Sequence, residues 1–275
     1  MPKNLAFATE NNNYKKILIH SIDAKNKTIE QIEKDNKKFY DNLGISKAIK
    51  LAHDENSKKG LKLVKEEIFV EKKDYDGNKN YMNIPVEVGN DTDYTNLSKY
   101  KGKYPMRYVT VTDHYIHNTE TIAKGTKVKD ALNTAISVIV GTTPPWIWIP
   151  ATILDLDVMN IFIDTSRPAT LTARLSEKFT YHYYQIKDID NKYNYQSDDW
   201  YCYGYTMKSD VTTQVMLTAY DQNNNLIKPN YNEATKTLYS KYYNNDSYLC
   251  EKIYNAYIGN GYEFYDTTPF PHFEK

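Results

Sequence analysis

Net charge is missing from this chain. Thirty-five Lys and Arg balance thirty-five Asp and Glu over 275 residues, so no global field draws it to polyanions, and no nucleic-acid partner is expected. Familiar catalytic signatures are missing too. There is no G-x-S-x-G, no H-E-x-x-H, no P-loop glycine pattern and no G-x-G-x-x-G, which removes the direct arguments for hydrolase, metalloprotease, nucleotide-binding and dehydrogenase classes. No cofactor is expected, and catalysis has no positive evidence. Cysteine is scarce: Cys202 and Cys250 are the only two, with no CxxC and no zinc-type spacing around them.

Charge is also absent locally, and that absence is informative. Ala131 to Leu154 runs for twenty-four residues without a charged side chain in a protein that is 25% charged. The length suits a membrane span, but Gly141, Pro144, Pro145 and Pro150 interrupt a single helix, so two short apolar elements joined by a turn are expected. Thr126 can cap a first arm reaching Val140, with Val128, Leu132, Ala135 and Ile139 on one stripe. The second arm begins at Trp146, and Pro150 suits the first position of a helix over Ala151 to Met159. This hairpin is either buried or membrane-active. In the second case Ile136, Ile139, Val140, Trp146, Ile147 and Trp148 are the contact residues for a membrane or partner.

Tyrosine is abundant, at 27 against 8 Phe and 3 Trp. An AT-rich coding sequence accounts for the total, and local clusters remain as binding surface, because a Tyr ring packs on one side and wets its hydroxyl on the other. At the start, Ala6-Phe7-Ala8 has the pattern that ends a signal peptide, without a preceding apolar core. Residues 1–8 thus read as a signal-peptide remnant, with a secreted or cell-surface protein from about Thr9. Export would pair the two thiols, and a Cys202–Cys250 disulfide closing about fifty residues would contribute about 3–4 kcal/mol.

Periodicity divides the remainder. Thr28 to Leu43 is an expected helix, with Ile29, Ile32, Phe39 and Leu43 near helical spacing and Gly44 taking the left-handed position after it; a second runs from Ser46 to about His53. Ile68 to Glu71, the turn Asp74 to Asn78 and Tyr81 to Val88 read as a β-hairpin. In the strand Tyr108 to Ile116, Tyr108, Thr110 and Thr112 share one face while Val109, Val111 and Asp113 share the other. Strict alternation from Leu171 to Tyr183, then over Trp200 to Met207 and Val211 to Tyr220, gives an antiparallel sheet, and Ser247 to Ile258 is a closing helix with Cys250 on it. The expected class is α+β: antiparallel β-sheets with N-terminal helices, a central apolar helical hairpin and a C-terminal helix. The regions are 9–125, the hairpin over 126–164, and the Tyr-rich part over 165–275, which folds alone or as one domain with 9–164.

Three constellations could carry chemistry. Asp74, Asp76, Asn78 and Asn80 alternate oxygens around Gly77 as in a calcium loop, but the closing bidentate acid is missing, so a plain turn is favoured. Asp113, His114 and His117 are metal-capable, yet both histidines reach one ion only if the chain bends after Tyr115. Asp155, Asp157 and Asp164 suit caps better than an acid/base pair. Tyr181, Tyr183, Trp200, Tyr201, Tyr203 and Tyr205 form a stacking face for sugars or proteins if alternate members point outward, and core if they point inward.

This order of polar helices, hairpins, a proline-broken uncharged segment and Tyr-rich strands resembles uncharacterised secreted proteins of low-GC Gram-positive bacteria. The resemblance covers layout and composition across most of the chain, implies export and carries over no site residue. The expected function is an exported, non-enzymatic recognition protein, toxin-like or antimicrobial, whose partner is a protein, glycan or membrane surface. A carbohydrate- or wall-binding module and a hydrolase assembled around Asp113, His114 and His117 are the alternatives.

Overall fold

In the computed structural model the alternating segments join one antiparallel sheet of eight strands. The structure describes residues 14–58, 61–73, 96–116, 120–122, 170–193, 200–220, 223, 226–240 and 243–259. In chain order the elements are β1 (Tyr14–Asp23), α1 (Ile29–Asn42), α2 (Ser46–Lys58), β2 (Lys62–Lys73), β3 (Leu97–Tyr100), β4 (Tyr104–Ile116), β5 (Glu120–Ile122), β6 (Thr170–Lys187), β7 (Trp200–Tyr220), β8 (Leu226–Tyr239) and α3 (Asp246–Ile258). The sheet order is β1-β2-β4-β6-β7-β8. Strand β3 pairs the start of β4 in line with β2, and β5 pairs the start of β6 in line with β4. The α+β class is thus the observed one. Because β4 pairs β6 from Met106↔Ile186 to Ile116↔Ser176, the regions 9–125 and 165–275 contribute to one sheet.

Both faces of the central strands are covered. On one, α1 and α2 bury Ile32, Tyr40, Ile45, Ala48, Ile49 and Ala52 over Ile68, Val70, Val109, Val111, Phe179, Tyr181 and Tyr183. On the other, α3 lays Leu249, Ile253, Ala256 and Tyr257 on Met106, Tyr184, Ile186 and Tyr201. The division expected along β4 holds, with Val109 and Val111 in the first core and Tyr108 packed against the second.

Local chemistry sets the helix ends. Thr28 and Gln31 form a reciprocal capping box at the start of α1, the Gln31 amide donating to Thr28 Oγ1 and the Thr28 amide to Gln31 Oε1. After α1 the chain turns at Gly44 with φ +69°, where a Cβ would lie 2.7 Å from the Trp200 carbonyl oxygen. Asn245 caps α3 by accepting from the Tyr248 amide.

Several elements differ from expectation. Strand β1 has no counterpart among the expected elements: it is an edge strand, and its exposed Lys15, Lys16 and Leu18 dilute the alternation. Helix α2 continues past His53 to Lys58 because Asn56 also faces the sheet and is buried. The two strands expected over 200–220 are one, since the ladder to β6 continues through the polar Lys208, Ser209 and Asp210. The second hairpin arm at Tyr81–Val88, the Asp74–Asn80 loop, the 126–164 hairpin and Asp155, Asp157 and Asp164 lie outside the described residues.

The expected disulfide is corrected: Cys202 and Cys250 are not bridged to each other. Cys202 packs against the core under α1 and α2, whereas Cys250 lies in the core beneath α3, so the sheet itself stands between the thiols. Burial pushes the Cys202 thiol up to about 12, which makes it a poor nucleophile.

Two outcomes follow from these positions. Gly44→Ala combines left-handed strain with a backbone clash and should lose about 2–3 kcal/mol in urea unfolding, against about 1 kcal/mol for Gly102→Ala, whose φ of +68° meets nothing within 4 Å; equal losses would mean that the contact with Trp200 is unimportant. Thiol titration in guanidinium without reductant should count two free cysteines, and a count of zero would restore the bridge.

Candidate functional site

A carboxylate on the apolar phase of a strand is costly to bury, and here two such carboxylates are neighbours. Glu66 is in phase with Ile68 and Val70 on β2, Asp113 with Val109 and Val111 on β4, and the register pairs Glu66 with Asp113 directly. Both point under the helices, at 0% and 1% exposure. Like charges facing each other across a ladder repel, so the site needs compensation from above.

The helices supply it. His53 of α2 is fully buried, and its Nε2 donates to Glu66 Oε2 at 3.0 Å and lies 4.0 Å from Asp113 Oδ2. Its Nδ1 faces Glu33 Oε1 of α1 at 3.4 Å, an ion-pair distance without good hydrogen-bond alignment. Tyr40 of α1 donates its hydroxyl to Glu66 Oε1 at 2.7 Å, and Tyr115 donates to Asp113 Oδ2 at 3.1 Å. Asn56, one turn after His53, donates to the Tyr181 hydroxyl at 3.1 Å. Spacings of three on α2 and seven on α1 bring these four side chains to the sheet.

Burial and neighbouring charge pull the proton affinities apart. For His53, burial disfavours the charged ring, but the adjacent Glu33 and Glu66 carboxyl groups and the charge of Asp113 outweigh it and raise it to about 10. Burial, then the Glu66 charge, pushes Asp113 up to about 8. Glu33 is opposed by burial yet held below the usual carboxylate range by His53 and Lys50. An imidazolium therefore sits between the Glu33 and Glu66 side chains, with Asp113 keeping its proton at neutral pH. With His53, Glu66 and Asp113 this deeply enclosed, the site suits a bound proton or ion better than a molecular substrate.

The sequence-derived candidates are distributed differently. Asp113 and His114 do not join: Asp113 is under the helices, while His114 is on the opposite face with its Nε2 3.1 Å from Glu67 Oε2. His117 lies outside the described residues. The aromatic face is corrected at Tyr181, Tyr183, Trp200 and Tyr201, all buried, with Tyr181 and Tyr183 in the core under α1 and α2 and Tyr201 in the core beneath α3. The side chains of Tyr203 and Tyr205, and Ile136, Ile139, Val140, Trp146, Ile147 and Trp148, lie outside the described residues. His53, Glu66 and Glu33 were not singled out from the sequence. The available signal was phase: Glu66 interrupts an alternating apolar row, and His53 sits on the stripe of Ile49, Ala52 and Asn56.

Compared with protein-family models, with curated proteins and with solved structures, the chain matches none.

The raised groups set a pH dependence of stability. Between the ordinary His value of 6.5 and about 10, the folded state holds a proton that the unfolded chain releases, so the stability His53 contributes is complete below 6.5 and lost as pH rises through 10. Asp113, raised from 3.8 to about 8, acts in the same direction over its own window. Urea unfolding in chelator should show stability falling from pH 6.5 to 10, with a flatter profile for His53→Gln; a wild-type profile that rises over this window would contradict the assignment. Tyr40→Phe, which removes a donor to a buried carboxylate, should cost about 1.5–3 kcal/mol at pH 7.

Proposed function

We propose that the chain is an exported, non-enzymatic effector that engages a membrane or a protein partner through the excursion between β5 and β6. The observation that carries this reading is topological. Ile122 and Leu171 are ladder partners, so the two positions that border residues 123–169 in sequence are paired directly. Connections between antiparallel neighbours usually take two to five residues. This one spans residues 123–169 and contains the uncharged stretch 131–154. A segment of that length between paired neighbours is far beyond what the turn requires.

The composition of the excursion fits a lipid or apolar protein surface. Trp146 and Trp148 flank Ile147, and Trp is the residue type enriched at membrane interfaces. Among the described residues no helix is long and apolar enough to cross a membrane, so engagement in this reading belongs to the excursion. Export rests on the Ala6-Phe7-Ala8 pattern and draws nothing from the cysteines.

Dye-loaded liposomes, tested at neutral and acidic pH, distinguish the outcomes. Wild-type protein should release dye, and Ile139→Asp, whose buried charge costs about 2.5–3.5 kcal/mol at a membrane centre, should release at least tenfold less while keeping its β-sheet circular dichroism. Absence of both leakage and co-sedimentation at every pH would remove the membrane version. An Ile139→Asp chain that cannot fold would place the stretch in the core.

A further inference from the structure

We propose that His53, Glu66 and Asp113 form a binding site for one divalent transition-metal ion, with Zn²⁺ the best-matched. One potential ligand atom from each of these three buried side chains lies within 4.8 Å of the other two. Zinc bonds to nitrogen and oxygen measure about 2.0–2.2 Å, which puts tetrahedral ligand atoms roughly 3.3–3.6 Å apart. The observed separations of 3.0 Å from His53 Nε2 to Glu66 Oε2 and 4.0 Å to Asp113 Oδ2 bracket that range. Small side-chain rotations suffice to admit the ion where the His53 proton now sits.

The surroundings are arranged as ligand supports. Tyr40 occupies Glu66 Oε1 and leaves Oε2 for the ion. Glu33 stands on the Nδ1 side of His53, the placement by which a carboxylate orients a metal-binding imidazole. Two further atoms point to a missing ligand. Among the described residues, Asp113 Oδ1 and the Tyr183 hydroxyl are buried without a hydrogen-bond partner. Tyr183 lies on the same sheet face, within the electrostatic reach of Asp113 and Glu66. Buried polar atoms in native proteins are rarely left so. A dication also answers the charge count, since Glu33, Glu66 and Asp113 gather three carboxyl groups around one imidazole.

Donor chemistry narrows the ion. One nitrogen and carboxylate oxygens, without thiolate, disfavour copper(I) and iron–sulfur clusters, while calcium and magnesium prefer more oxygens or several retained waters. Imidazole with carboxylates suits Zn²⁺. This inference is independent of the membrane reading.

The test uses the whole chain, stripped with chelator and titrated with Zn²⁺ alone. Elemental analysis should give one zinc per chain after gel filtration, with the thermal midpoint raised by several degrees. Glu66→Gln and His53→Gln should each weaken binding at least tenfold. Glu67→Gln, on the opposite face beside His114, should bind as wild type. X-ray absorption of the zinc-loaded wild type should show one imidazole and otherwise oxygen neighbours, which decides the matter even if the buried variants do not fold. Folded wild-type protein that takes up no zinc at 100-fold excess, a sphere with sulfur or several imidazoles, or loss of binding in Glu67→Gln would each overturn the site and leave the cluster holding a proton.

Discussion

The ladder between β4 and β6 is covered on both faces, and this constraint governs what each residue along it can be. Side chains on one phase enter the core under α1 and α2, and those on the other enter the core beneath α3. Polar groups on either phase must then be answered locally. Arg107 shows how: its Nε donates to Gln185 Oε1 at 2.8 Å, and its guanidinium lies 4.1 Å from the centre of the Trp200 ring. Gln185 in turn donates to the Leu43 carbonyl at 2.7 Å, which ties the end of α1 to the sheet. On the far side, Asp188 accepts from the Lys192 and Tyr193 amides and from the Tyr257 hydroxyl, anchoring α3 to the turn after β6.

The His53–Glu66–Asp113 cluster differs in kind, because it brings two carboxyl groups and an imidazole together in the core. Apolar residues of similar size would serve stability as well or better, because buried ion pairs commonly cost more in desolvation than they return. Sequences depart from agreement with their fold most often where they do something. The cluster is also assembled from three separate elements, α2, β2 and β4, with Glu33 and Tyr40 of α1 closing over it.

Much of this architecture was legible in the sequence where the signal is local. The first helix, the glycine after it, the two phases of β4 and the terminal helix all depend on residues within a few positions of one another. What escaped depends on distant pairing. β1 is legible only once β2 is beside it, and β7 crosses its polar middle because β6 supplies the ladder there. The site was half visible: Asp113 was singled out, but with the sequence neighbour His114, which a strand sends to the opposite face. Its true companions come from register and helix packing, neither of which spacing alone encodes.

The excursion has a kinetic consequence. Pairing Ile116 with Ser176 requires the chain to close a loop of about sixty residues, an entropic cost on the order of 4 kcal/mol that must be met before the ladder returns any of it. β6, β7 and β8, by contrast, follow one another closely and pair as a meander. The C-terminal strands are thus expected to associate early and to dock late on the N-terminal half, whose charged cluster needs no ladder beyond β2 against β4.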